Sequence, residues 1–238
     1  MRTLNQGFSL ETGQRVSRHK SGLTPPAPLD LGEIGAAYVV DTARFGATSP
    51  VEGARLRLEL TPTLGTKAYA GVRLDYRRYL QPMRPLTLAT RVLHIGRYGR
   101  DAGDPRLTPL FAGYAHLVRG YDGLGNPRCL TGTCSRLDGL TGSKLVVTNA
   151  ELRLPAFFLA SRERPYGPLP AELVLFFDAG RAWSNGLSPE GARGWIRSWG
   201  AALRVNVFGF AVGELDYIRP LDLPDHRSML RFRLGTGF

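Results

Sequence analysis

The sequence segment best suited to a specific charged contact places one arginine among apolar, small and aromatic residues: Leu117-Val118-Arg119-Gly120-Tyr121. It lies within a glycine-rich segment, about residues 99–142, that lacks the alternation of a strand. An arginine presents a planar fork of N–H donors that can hold two carboxylates at once, a geometry that lysine cannot copy. Gly120 permits a backbone turn that a β-carbon would obstruct. By itself, however, this pattern favours an ordinary solvated loop arginine.

The other residues with chemical potential form no recognisable active or metal site. Cys129 and Cys134 are too few to hold zinc, and the histidines show no ligand spacing with them. We predict a small disulfide loop between these cysteines, with two unpaired thiols as the alternative. His94 and His116 could activate water, but no paired acidic cluster accompanies them at a matching strand depth. Residues 140–144 lack the spacing of a phosphate loop and precede a strand. The sequence therefore predicts no catalytic residue, no cofactor and no metal.

The charge of the chain is strongly positive and widely distributed. Its 238 residues carry 31 Lys+Arg against 20 Asp+Glu, a formal net charge of +11. Proteins that read nucleic acid usually cluster their basic residues on one face or helix. Here the arginines recur along the whole chain, often at every second position, which argues against nucleic acid and allows a basic, water-filled interior.

The targeting signals leave two interpretations open. No run of 18 or more apolar residues occurs, and residues 1–6 lack the apolar core of a secretory signal. Taken literally, this indicates a soluble cytoplasmic protein. The alternative is that the chain is the C-terminal part of a longer precursor, so the strand pattern must decide.

Strict alternation of apolar and charged residues identifies the strands. In residues 54–61, Leu56, Leu58 and Leu60 share one face, while the arginines and the glutamate between them share the other. Similar alternation, of varying strength, predicts about ten antiparallel strands at residues 4–16, 32–45, 54–61, 67–81, 86–95, 144–154, 171–183, 197–209, 211–219 and 228–238.

The strand pattern favours a transmembrane β-barrel over a soluble sandwich. The predicted strands are long enough for a tilted crossing, and their polar faces are rich in arginine and glycine, as in a hydrated interior. Aromatic residues lie near the strand ends, where an interfacial girdle would need them: Tyr79, Tyr98, Trp183, Trp195, Trp199, Phe208, Phe210 and Phe238. A barrel of ten strands would be too narrow for a loop of some forty residues, so a larger barrel with further strands fits better.

Four motifs, in order, resemble one family of outer-membrane proteins. They are Val118-Arg119-Gly120-Tyr121, then Asn149-Ala150-Glu151-Leu152-Arg153-Leu154-Pro155, then Phe176-Phe177-Asp178-Ala179-Gly180, and finally Phe232-Arg233-Leu234-Gly235-Thr236-Gly237-Phe238. Their order and spacing are similar to those of the bacterial surface antigen family, the assembly factors that include BamA and TamA. Thr236 departs from the apolar or aromatic residue common in such C-terminal strands.

The resemblance implies a specific site and domain organisation. It implies a sixteen-stranded barrel of which residues 1–238 form the C-terminal part, with the loop of about 99–142 inserted in the lumen and no periplasmic domain in this sequence. Carried over by position, Arg119 pairs with Glu151 and Asp178, and strand alternation independently directs both carboxylates to the lumen. The remaining residues of the implied site are Val118, Gly120 and Tyr121 on the loop, Phe176 and Gly180 on the wall, and Phe232, Leu234 and Phe238 on the C-terminal signal strand.

The resemblance also implies a function, which we expect to be non-enzymatic. The first hypothesis is an assembly or translocation barrel of the bacterial outer membrane. Its partners would be membrane lipid and lipopolysaccharide, client outer-membrane or exported proteins, and periplasmic proteins or lipoproteins, without nucleic acid. The second is the membrane anchor of a larger protein whose soluble domain, such as a phospholipase or a propeller, sets the activity. The third is a soluble β-protein with a basic surface.

Overall fold

Apart from a 3-10 helical residue at Leu140, all regular structure in the described part of the chain is β-strand. The computed structural model describes residues 2–8, 15–22, 28–122, 140–158, 170–184, 194–207, 209–223 and 228–236. Within these ranges, no helix has the length and apolar character needed to span a membrane. The strands, in chain order, are β1 (Arg2–Phe8), β2 (Arg15–Gly22), β3 (Leu31–Glu33), β4 (Ala36–Asp41), β5 (Arg44–Phe45), β6 (Pro50–Gly65), β7 (Tyr69–Met83), β8 (Leu86–Tyr98), β9 (Leu110–Phe111), β10 (Thr141–Gly142), β11 (Lys144–Pro155), β12 (Ala171–Trp183), β13 (Ile196–Val207), β14 (Ala211–Pro220) and β15 (Met229–Thr236).

One antiparallel sheet contains all the long strands. Its order is β15-β14-β13-β12-β11-β8-β7-β6, and the short strands β3, β4 and β5 all pair with β6. Neighbouring strands in this order follow one another along the chain, except that β8 is joined to β11 through the segment that carries β9 and β10. The sheet is therefore a continuous meander interrupted by one long insertion.

Three sequence predictions about strands are wrong in detail. The single strand predicted at residues 4–16 is a hairpin of β1 and β2, because alternation is weak there and does not define a register. The strand predicted at 32–45 is divided into β3, β4 and β5, with breaks at residues 34–35 and 42–43. The central segment, predicted to contain no strand, includes the short pair β9 and β10.

The two faces of the sheet differ in polarity as the alternation predicts. We call the face that carries the long insertion the inner face, and the opposite one the outer face. On β12, Phe176 and Asp178 lie buried on the inner face, whereas Leu175 and Phe177 on the outer face are 59% and 45% exposed. The outer face is thus apolar and accessible, and the inner face carries the charges.

Some of the aromatic residues predicted to form a girdle are exposed on the outer face, and one is not. Tyr98 and Trp199 are half-exposed on the outer face, near the end of the sheet where the long insertion lies. Tyr79 instead lies buried on the inner face, its ring 5.8 Å from the guanidinium carbon of Arg153. The side chains of Phe208 and Phe238 lie outside the described residues.

An apolar core joins the long insertion to the inner face. Buried side chains of the wall meet buried side chains of the insertion, and together they comprise Leu93, Leu145, Val147, Ala182 and Ile196 from the wall with Phe111, Ala112, Leu117, Val118, Tyr121 and Leu140 from the insertion. Their burial against one another removes apolar surface from water, the main favourable contribution to docking. This end of the inner face is packed rather than hydrated.

Candidate functional site

The insertion reaches the wall through a compact turn that precedes the arginine. The amides of Leu117 and Val118 both donate to the carbonyl oxygen of Tyr114, at 2.8 and 3.1 Å. This turn directs Val118 onto Gly180 of β12, where it is fully buried. A β-carbon built on Gly180 would lie 2.6 Å from Val118 Cγ2, so only glycine accommodates the approach.

Arg119 forms a forked contact with a buried aspartate. Its Nε and Nη2 donate to the two carboxylate oxygens of Asp178 at 2.7 and 2.9 Å, and its backbone amide donates to Asp178 Oδ2 at 3.2 Å. Nη2 also donates to Glu151 Oε1 at 2.9 Å. Arg119 is 5% exposed and Asp178 is fully buried. The solvated loop arginine that the pattern alone favoured is therefore not what the structure contains.

The register of the sheet explains why the carboxylates converge. Asn149 of β11 lies directly opposite Asp178 of β12, and Glu151 lies two residues further along β11, on the same face. The side-chain amide of Asn149 donates to Asp178 Oδ1 and to the carbonyl oxygen of Leu117, both at 2.8 Å. Asn149 thus fixes the aspartate and the loop together, a role that the sequence did not reveal.

An aromatic ring completes the arginine site. The guanidinium carbon of Arg119 lies 3.6 Å from the centroid of the Phe176 ring, within the range of a cation–π contact. The ring extends over Gly200 of β13, where an added β-carbon would lie 2.6 Å from Phe176 Cζ. Burial alone would lower the pKa of Arg119, but its hydrogen bonds to Asp178 and the nearby carboxylates raise that pKa above its ordinary value. The site thus holds Arg119 as a permanent cation.

Further ion pairs extend this site to the strands on either side. Arg153 and Arg204 approach Glu151 Oε2, at 2.7 and 3.5 Å, and Arg204 Nε donates to Glu214 Oε2 at 3.1 Å. Glu214 Oε1 also lies 3.7 Å from Arg119 Nη1. Alternation could have placed these side chains on the inner face, but it could not have shown that they meet.

Gly120 and Tyr121 hold the far side of the turn. Gly120 has φ of +89°, and a β-carbon there would lie 2.9 Å from Ile218 Cγ2 and from Pro220 Cγ. The Tyr121 hydroxyl donates to the carbonyl oxygen of Arg197 at 2.7 Å and accepts from the amide of Asp222 at 3.1 Å. Burial raises the pKa of Tyr121. The motif therefore contacts β13, β14 and the segment that follows β14.

A basic cavity of about 410 Å³ lies beside the docked turn. Arg77 and Arg91 share the single carboxylate of Asp75, and Arg91 also donates to the carbonyl oxygen of His116. Burial lowers the pKa of His116, and the positive charges of Arg91, Arg233 and Arg73 lower it further. The cavity is therefore lined by several arginines, whose charges disfavour protonation of His116.

The described residues contain no arrangement suited to a metal or to histidine catalysis. No group of three or more histidine, cysteine, aspartate or glutamate side chains within them could hold a metal ion. His94 contacts Tyr98 Oη at 2.6 Å and stacks on Trp183 at 6.0 Å between ring centroids, on the outer face. His116 lies on the inner side and stacks on Tyr114.

The remaining predicted site residues lie apart from the arginine. Phe232 and Leu234 of β15 are both 68% exposed on the outer face, on the strand that forms one end of the sheet. Phe238, Cys129 and Cys134 lie outside the described residues, so the predicted end of the C-terminal signal and the predicted disulfide stay predictions.

Comparison with known proteins identifies the architecture. A family profile described as the Omp85 superfamily domain matches residues 34–238. A similar solved structure is that of BamA from Haemophilus ducreyi lacking POTRA domains 1-3, with 14% identity and a TM-score of 0.54. The match covers 96% of this chain and 44% of that chain, so this chain spans less than half of its length. No curated protein sequence matches. These findings confirm the predicted antiparallel barrel fold and the resemblance to BamA-like proteins.

Proposed function

The chain belongs to the Omp85 superfamily, whose location is the bacterial outer membrane. We propose that it works there as a non-enzymatic barrel that inserts or exports proteins. In such a barrel the work is done by the edges of strands, which template the strands of a client, rather than by bond chemistry. Residues 1–238 would form the C-terminal part of a sixteen-stranded barrel, a proposal that the 44% coverage of the BamA chain supports.

The observation that carries this proposal is the docking of Arg119 on Asp178 and Glu151. Two carboxylates and an aromatic ring surround one guanidinium, and all these side chains are largely buried. Burying these charges is costly, and removing one partner would leave an uncompensated charge. An ordinary lipid anchor has no need of such a costly contact. The presence of this contact supports the proposal that the position of the docked loop matters for the activity of the barrel.

Docking fastens several strands to one loop. Val118 and Arg119 bind β12, Glu151 belongs to β11, and Gly120 packs on Ile218 of β14. A membrane β-barrel cannot leave backbone groups unpaired in lipid, so a strand that leaves one partner has to pair with another. We propose that the docked motif keeps this half of the wall rigid while an edge further along the sheet exchanges partners.

The partners proposed for the barrel follow from its two faces. The exposed apolar residues of the outer face suit membrane lipid, with lipopolysaccharide at the rim. Client outer-membrane or exported proteins would meet the strand edges, and periplasmic proteins or lipoproteins would meet the opposite rim. Nucleic acid has no place in this proposal, because Arg119, Arg153 and Arg204 are engaged with carboxylates of the inner face.

The test is a client-folding assay with the purified protein in liposomes. The variant Arg119→Lys keeps the charge and loses the planar fork, so we expect slower folding of an unfolded client barrel, measured by heat-modifiable gel migration. Arg55→Lys is the matched control, because Arg55 pairs with Asp41 at an exposed position and should tolerate lysine.

Two outcomes would contradict the proposed function. If the wild-type protein does not accelerate client folding or export at all, the assembly role is wrong. If activity instead belongs to a soluble domain and the barrel merely retains that domain at the membrane, the alternative of a membrane anchor is correct. Equal activity of Arg119→Lys and Arg55→Lys would show that the forked contact between Arg119 and Asp178 does not contribute to client folding.

A further inference from the structure

The last strand, β15, is held on its inner face by the docked insertion. In the part of the chain that the structure describes, β15 pairs with β14 alone and forms one end of the sheet. Two arginines of β15, Arg231 and Arg233, point to the inner face. Arg231 contacts the insertion directly, next to the docking motif, and Arg233 is linked to Arg119 through one shared carboxylate.

The first connection is a direct ion pair. Arg231 Nη1 donates to Asp122 Oδ2 at 2.7 Å, and Asp122 is the residue that follows the docking motif. Arg231 Nε and Nη2 are buried without a hydrogen-bond partner among the described residues, and Nε lies 3.6 Å from Asp216 Oδ2. Asp122 therefore accepts the only hydrogen bond that this guanidinium donates within the described ranges.

The second connection passes through Glu214 of β14. Glu214 Oε1 accepts from Arg233 Nη2 at 2.7 Å and lies 3.7 Å from Arg119 Nη1. Arg233 Nε also donates to Asp216 Oδ2 at 3.1 Å. One glutamate therefore shares its charge between the docked arginine and the last strand. Movement of either arginine would remove one of the positive charges around Glu214, which Arg204 also contacts at 3.1 Å.

We propose that the docked loop positions the edge strand β15, with Asp122 and Arg231 as the residues that couple the two. The inference rests on the proposed function, because the position of an end strand matters for a barrel that templates client strands. Coupling of this kind is reciprocal: a loop that stabilises β15 when docked is itself stabilised by an ordered β15. A partner strand that displaces β15 would therefore weaken the docking of the loop.

Asp122 is a suitable residue to test because it lies outside the arginine site itself. Its side chain contacts Arg231 and is 36% exposed, whereas the side chain of Arg231 is 15% exposed. Asp122→Asn leaves Arg119, Asp178 and Glu151 in place and removes the charge that Arg231 depends on. Asp122→Glu keeps a carboxylate and should restore much of the effect.

The experiment is hydrogen–deuterium exchange of the protein in detergent, followed by mass spectrometry of the peptides that cover β15. We expect Asp122→Asn to accelerate exchange of these amides by about tenfold, the effect of losing one hydrogen bond to a charged group. Asp122→Glu should exchange close to the wild-type rate. Asp41→Asn is the matched control, because it removes the exposed carboxylate paired with Arg55 at the other end of the sheet.

Every result of this experiment decides the proposal. Unchanged exchange of β15 in Asp122→Asn would overturn it, as would equal acceleration in Asp41→Asn. Exchange of wild-type β15 at the rate of an unfolded chain would overturn it too, because the loop would then confer no order. The measurement needs no client protein. A failure of client folding with β15 exchange behaving as expected would therefore count against the proposed function and leave the coupling standing.

Discussion

Val118 packs directly on Gly180, with Val118 Cγ2 2.6 Å from the position that a β-carbon on Gly180 would occupy. This contact sets how closely the loop approaches β12. At that approach, Arg119 Nε reaches Asp178 Oδ2 at 2.7 Å. The apolar contact and the ion pair therefore depend on one another, although they belong to different residues.

Gly180→Ala should separate the loop from the wall. The added methyl group would displace Val118 and lengthen the bonds between Arg119 and Asp178, and overpacking of this kind costs about 1–3 kcal/mol. We expect the free energy of unfolding, measured by denaturant titration in detergent, to fall by about that amount. Gly213→Ala is the control, because its nearest atom would be Phe232 Cε2 at 3.7 Å. Equal stability of the two variants would show that the close approach at Gly180 is unimportant.

Arg119→Ala, Glu151→Gln and Asp178→Asn should each loosen the loop. Loss of one partner from a buried ion pair costs about 3–5 kcal/mol, because a charge is left without compensation. We expect the largest effect from Arg119→Ala, since it removes the docked cation from two carboxylates at once, one of them fully buried. The measurement is again the free energy of unfolding in detergent.

The double variants decide whether these residues act as one unit. Groups in one ion-pair network show coupling, so Arg119→Ala combined with Asp178→Asn should cost little more than Arg119→Ala alone. Strictly additive losses would mean that the three side chains stabilise the protein independently. A pair from opposite ends of the sheet, Arg119→Ala with Asp41→Asn, provides the additive reference.

The charge network illustrates what sequence reasoning can and cannot predict. Alternation placed Glu151 and Asp178 on the inner face, and the family motif added their pairing with Arg119. Alternation gives the face of a side chain but not the distance across a curved sheet. Hence the contacts of Asn149 with Leu117, and of Glu214 with Arg119, appear only in the structure. The same limit applies to the hairpin of β1 and β2, where weak alternation left the register undefined.

His116 should make docking sensitive to acid. Burial and the charges of Arg91, Arg233 and Arg73 lower its pKa below the ordinary 6.5. The unfolded chain then binds a proton more readily than the folded one, so stability rises with pH where the two differ. The contribution is complete above pH 6.5 and is lost as the pH falls through the lower, folded pKa.

The check is the thermal unfolding midpoint of the wild-type protein and of His116→Gln between pH 8 and pH 5. We expect the wild-type midpoint to decline more steeply with acid than that of His116→Gln, because glutamine gains no charge there. Parallel pH profiles of the two proteins would show that other groups account for the decline.

Ser49→Ala should release a second internal contact, at the opposite end of the inner face. The turn before β6 lies against the inner face of β12, where Ser49 Oγ donates to Glu172 Oε2 at 2.7 Å. Arg153 Nη1 donates to the same hydroxyl oxygen at 3.1 Å, and Asn206 Nδ2 donates to the carbonyl oxygen of Ala47 at 2.7 Å. Ser49 is 5% exposed and Glu172 is 3% exposed, so water cannot readily replace the hydroxyl.

With alanine at position 49, Glu172 keeps only the distant charge of Arg204, at 3.9 Å, among the described residues. A buried acceptor left unsatisfied costs about 1–3 kcal/mol, more for a charged group, so the free energy of unfolding should fall by at least that amount. Ser228→Ala is the control, because it removes an exposed hydroxyl that accepts from Tyr217. If both variants unfold at the same denaturant concentration as the wild type, the turn does not fasten β6 to β12. If only Ser49→Ala is destabilised, contacts at both ends of the inner face, and not the arginine motif alone, hold the wall together.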